Sequence, residues 1–121
     1  MTIIEAIHAI DELKPNEYTQ GQKTRWLSQL DGMIKRELLD QYTENVSFTP
    51  YSEDTDPETV LLVGEPYEEI YLTWLESKID YHNSEINKYN NSALRFNDIF
   101  EAYKKDYNRT HVHRGARMIY Y

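Results

Sequence analysis

A long apolar stripe in the second half of the chain constrains its fold most. Tyr71, Leu75, Ile79, His82, Ile86, Tyr89, Ala93, Phe96, Phe100, Tyr103 and Tyr107 follow one another in steps of four or three. That spacing holds one face of an α-helix in register, whereas strand side chains alternate with a period of two. Residues 66–108 are therefore predicted to be helical. Pro66 suits a first helical position, and Glu68 and Glu69 complement the helix dipole there. One straight helix over this span would measure about 60 Å, too long for a compact domain of this size. Asn90, Asn91 and Ser92 offer a stop and a new cap. The expectation is one helix to about Tyr89 and another from Ser92 to Tyr107, with a single continuous helix as the alternative.

The first half repeats a different start signal. Thr2 with Glu5, and Thr19 with Gln22, each have the form of a capping box, in which side chain and backbone satisfy each other's orphan donors. Ile3, Ile7, Ile10 and Leu13 follow the first box at helical spacing and Pro15 closes it, giving a helix over about 2–14. Trp26, Leu27, Leu30, Met33, Ile34 and Leu38 follow the second, giving a helix to about Tyr42. Between 43 and 65 the helical period is lost. Two β-prone patches, VSFTPY (46–51) and TVLLV (59–63), flank the acidic SEDTDPE and predict a short β-hairpin or an irregular loop inserted between helices 2 and 3. The expected organisation is one mainly α domain, residues 1–107, followed by an extended tail, 108–121.

Composition excludes several functions. With 121 residues and no cysteine, the chain needs no metal or disulfide staple, offers no thiol nucleophile, and reads as a cytoplasmic protein. No apolar run approaches the roughly 18 residues of a membrane span, so no membrane partner is expected. No G-x-S-x-G elbow, P-loop or paired-carboxylate setting is present, so neither catalytic residues nor a cofactor is assigned. Glu53, Asp54, Asp56 and Glu58 crowd one loop, but the glycine and distal glutamate of a calcium loop are missing, and a solvated acidic loop is expected.

The charge is unevenly distributed. Residues 37–77 hold eleven acids and no Lys or Arg; residues 108–121, NRTHVHRGARMIYY, hold three Arg and no acid. Arg109, Arg114 and Arg117 can pair with carboxylates, and Met118, Ile119, Tyr120 and Tyr121 form an apolar, β-prone tip suited to partner docking. His111 and His113 would share one side of a strand, a metal-ligand spacing, but no third ligand accompanies them and no metal is assigned. These nine residues are the candidate docking set. The alternative is a small helical DNA-binding regulator using the arginine-rich tail, a role that the acidic body disfavours. Phe48, Tyr51, Asp54, Asp56, Tyr71 and Tyr103 are the candidate contacts between subunits, since tyrosine in excess suits protein–protein surfaces.

The run LLVGEPYEEIYLTWLESKIDYHNSEINKYNNSALRFNDIFEAYKKDYNRTH, together with KPNEYTQGQKTRWLSQLDGMI, resembles the small head-tail connector proteins of tailed phages and of prophages in Gram-positive bacteria. The resemblance covers Asp11 to His111 and is most specific at Leu61-Leu62-Val63, at Pro66 to Tyr71 and at Lys88 to Ser92. It implies a non-enzymatic virion structural protein: an all-helical adaptor bundle at the virion neck, assembled in the host cytoplasm. Such adaptors form a ring, commonly of twelve subunits, under the portal protein and hold a neck or tail completion protein. DNA passes only through the channel, and the free protein can be a monomer. The portal-engaging segment would correspond to residues 108–121.

Overall fold

A computed structural model describes residues 1–113. The chain is mainly helical: α1 is Ile3–Leu13, α2 Gln20–Glu37, α3 Glu69–His82 and α4 Ile86–Thr110, with a 3₁₀ turn at Leu39–Gln41. Both capping boxes form. Glu5 N–H donates to Thr2 Oγ1 at 3.2 Å while Thr2 N–H donates to Glu5 Oε1 at 2.8 Å, and Gln22 and Thr19 repeat the exchange at 3.1 and 3.3 Å. Helix α2 stops at Glu37, short of the expected Tyr42. Leu38, Leu39 and Tyr42 are buried there, the chain passing into the 3₁₀ turn at Leu39–Gln41 instead of a further turn of α-helix.

Helix α3 is the centre of the arrangement. It packs on α1, α2 and α4, whereas α4 packs on α3 alone among the helices. Its buried residues, Ile70, Tyr71, Thr73, Leu75, Ser77, Ile79 and Asp80, point to every side, as expected of a helix enclosed all round. They join a single core with Ile3, Ile7, Ile10, Leu27, Leu30, Ile34, Phe96 and Phe100.

The break between α3 and α4 lies at 83–85, not at Asn90–Ser92, and α3 begins at Glu69 with Pro66 ahead of it. Ser84 adopts φ 60, Ser84 N–H reaches Tyr81 O at 3.0 Å and Glu85 N–H reaches Asp80 O at 3.0 Å. This pair of bonds is the Schellman closure of a helix, built on serine where glycine is usual. Ser92 remains inside α4, where its hydroxyl donates to Asp80 Oδ2 at 2.8 Å. Left-handed backbone disfavours a side chain by about 1 kcal/mol or more. Ser84→Gly is accordingly expected to stabilise the chain by about 1 kcal/mol, read as a higher urea midpoint with an unchanged slope.

No strand forms among the described residues, and the two β-prone patches do not pair with each other. Thr59 and Leu61 lie against the N-terminus instead. Ile3 N–H donates to Thr59 O at 3.0 Å, Ile4 N–H to Pro57 O at 2.9 Å and Leu61 N–H to Met1 O at 2.9 Å. The loop thereby satisfies the free N–H groups that open α1. The other patch is tied to α2, with Tyr51 N–H donating to Ser28 Oγ at 2.9 Å. Residues 43–65 are thus an irregular loop fastened at both ends.

Candidate functional site

The last described residues form the root of the expected docking tail. Helix α4 continues through Arg109 and Thr110, so the extended segment begins later than residue 108. The His111 ring lies flat on Tyr107, with centroids 3.6 Å apart and planes at 2°. Its Nδ1 sits 3.2 Å from Tyr107 O and 2.9 Å from Thr110 Oγ1, and its Nε2 is 3.6 Å from Glu44. Tyr42 closes the cluster: its ring meets Tyr107 edge-on at 4.9 Å and His113 at 5.4 Å, and its hydroxyl bonds the Asn108 amide oxygen. Thr43 N–H donates to Val112 O at 3.0 Å, which completes a one-residue bridge between Tyr42 and His113.

These contacts hold residues 111–113 against the body. They also occupy three of the nine candidate docking residues. Arg109 is paired with Asp106, His111 with Tyr107 and Glu44, and His113 with Tyr42. Arg114, Arg117, Met118, Ile119, Tyr120 and Tyr121 lie outside the described residues. Among the described residues no three His, Cys, Asp or Glu side chains come together as metal ligands, and no helix is long and apolar enough to cross a membrane. Tyr42→Ala removes the ring that wedges the root in place, a truncation that costs about 3 kcal/mol or more when the aromatic is buried. The expected result is much faster amide exchange at residues 108–113 than in the wild type.

The candidate subunit contacts divide. Phe48 is half-buried, and Asp54 and Asp56 are exposed, so all three are available to a neighbour. Tyr51, Tyr71 and Tyr103 are instead core residues of the monomer, with Tyr71 fully enclosed. The reason is a buried acid that the periodicity does not announce. Asp31 is fully buried between Leu30 and Ile34 and accepts from Tyr71 at 2.7 Å, Tyr51 at 2.7 Å and Leu62 N–H at 3.1 Å. Tyr71 Oη in turn accepts from Val63 N–H at 2.7 Å. One carboxylate therefore joins α2, α3 and both ends of the loop. Burial raises the Asp31 carboxyl above its ordinary value, outweighing the three donors that lower it. Burial and the adjacent carboxylate together push both tyrosine hydroxyls up, so they remain donors at any physiological pH. Tyr103 is held by rings, Tyr67 at 5.5 Å and Tyr107 at 5.9 Å.

A second buried acid, Asp80, receives the Lys14 ammonium as well as the Ser92 hydroxyl and locks the opposite end of the helices. Neither acid lies on the apolar stripes of the sequence, so spacing gave no signal for either. Compared with known protein families, curated proteins and solved structures, the chain finds no match in any of the three.

Proposed function

We propose that the chain is a non-enzymatic head-tail connector: a mainly helical adaptor bundle that assembles as a ring under a portal protein and joins the capsid vertex to neck or tail components. The observation that carries this reading is the clamped root at Tyr42, Tyr107, His111 and His113, which holds the last described residues at a fixed point on an acidic body. Beyond that root the sequence carries two further arginines and the apolar tip Met118 to Tyr121, residue types suited to docking a chain end on a separate partner.

Two unlike surfaces support a ring. Closed rings need a face that meets a different face of the next subunit. The loop presents exposed Asp54, Asp56 and Glu58, while Leu13, Tyr81 and Ile86 are exposed where α1 and α3 end and α4 begins. The acid-rich composition also lets DNA pass without counterion-releasing contacts. Arg109, already paired with Asp106, contributes little to any phosphate contact. The test is portal binding by the intact chain and by a chain cut after His113. Equal binding by the two would remove the docking role.

A further inference from the structure

On the exposed side of α2, Arg25, Gln29, Gly32, Met33 and Arg36 recur in steps that place them on one stripe. Phe48, Pro50 and Tyr51 of the loop stand beside them, and together these residues line an open groove of about 670 Å³. None of them belongs to the tail root. Folding accounts poorly for two of its features.

The first is charge. On a chain of net charge −8, with eleven acids in residues 37–77 alone, Arg36 has no ion pair among the described residues and Arg25 meets only Glu53, at 3.5 Å. Asp40, four residues further along the chain, pairs with Lys35 at 2.7 Å. The second is Gly32. Glycine inside a helix costs about 1 kcal/mol relative to alanine, so a packing reason is expected. At Gly21 a Cβ would meet the Glu53 side chain at 2.6 Å, so that exposed side chain would have to move aside. At Gly32 the nearest atom to such a Cβ is in the Phe48 ring at 3.6 Å, an ordinary contact. Among the described residues the missing methyl relieves no close contact, and it lowers the floor of the groove.

We infer that this groove binds an acidic peptide segment of another protein, apolar at its centre and carrying carboxylates toward both ends. Arg25 and Arg36, about 16 Å apart along the helix, take the carboxylates through paired N–H donors. Gly32, Met33 and Phe48 receive the apolar side chains between them. A peptide fits better than a nucleic acid, because two cations over an apolar floor in an acidic body neutralise too few phosphates for a backbone contact.

The test uses the full chain and a short labelled peptide with paired aspartates at each end and leucines between, followed by fluorescence anisotropy. Arg25→Glu combined with Arg36→Glu is expected to weaken binding by about tenfold or more while the circular dichroism stays unchanged, since each lost charge-assisted contact is a sizeable factor in affinity. Gly32→Ala is expected to raise the melting temperature and weaken binding, a split that loss of structure cannot produce. The inference is overturned by no binding of the aspartate peptide, by undiminished binding in the arginine variant, or by equal binding of a lysine-ended peptide. Full competition by a short oligothymidine would assign the groove to nucleic acid, and self-association lost in the arginine variant would assign it to a second copy; either result also overturns it.

Discussion

Asp31→Leu is expected to lower the free energy of unfolding by about 3 kcal/mol or more, because each buried donor left without an acceptor costs about 1–3 kcal/mol. Three donors lose their acceptor at once: the Tyr51 and Tyr71 hydroxyls and Leu62 N–H. The loss is not confined to α2, since the carboxylate ties the loop to the helices at both of its ends. A urea titration should show the lower midpoint, and a change below about 1 kcal/mol would rule out the hub. Asp31→Asn reports on the charge. Burial holds the Asp31 carboxyl above its ordinary value, so over a window of pH the folded chain keeps a proton that the unfolded chain has released. Stability from this group is then full below the ordinary carboxylate pKa and is lost as pH rises through the raised one. The stability of the wild type minus that of Asp31→Asn should fall across that window, and a flat difference would be incompatible with it.

Cutting the chain after His113 is expected to abolish portal association while leaving the fold intact. The two halves of that statement rest on different residues. Every described core residue lies at or before Tyr107, so the helices are expected to fold without residues 114–121. The removed segment holds Arg114, Arg117, Tyr120 and Tyr121, residue types that dominate binding energy, each commonly contributing about 2 kcal/mol when anchored. Two such anchors correspond to a loss of roughly a thousandfold. A longer deletion from Arg109 would also remove His111 and His113, which hold Tyr42 and Tyr107, and would confuse docking with local folding.

Local chemistry made much of this fold readable. Thr2 with Glu5 and Thr19 with Gln22 identified two helix starts, because a capping box is a property of four consecutive residues. The stripe from Tyr71 to Tyr107 identified the helical second half for the same reason. The position of its interruption was not readable, because Asn83 and Ser84 carry as good a turn signal as Asn90 to Ser92 and the apolar register runs through both. The fate of residues 59–63 was out of reach: their partner is the N-terminus, and spacing does not reveal a long-range pairing. Tyrosine is amphipathic, so Tyr51, Tyr71 and Tyr103 read as suited to subunit contacts, although Tyr71 and Tyr103 also lie on the apolar stripe, where core packing explains most tyrosines. They are buried because Asp31 gives two of the hydroxyls an acceptor and because the Tyr103 ring packs between Tyr67 and Tyr107. The root of the tail was legible as a distinct segment, but its clamp against Tyr42 was not.

The connector role is tested most directly by electron microscopy of portal rings incubated with the intact chain and, separately, with the chain ending at His113. Added density of ring symmetry beneath the portal is expected with the intact chain, none with the shortened one, and identical circular dichroism for both proteins. Bare portal rings with the intact chain, or equal decoration by the two proteins, would refute that role.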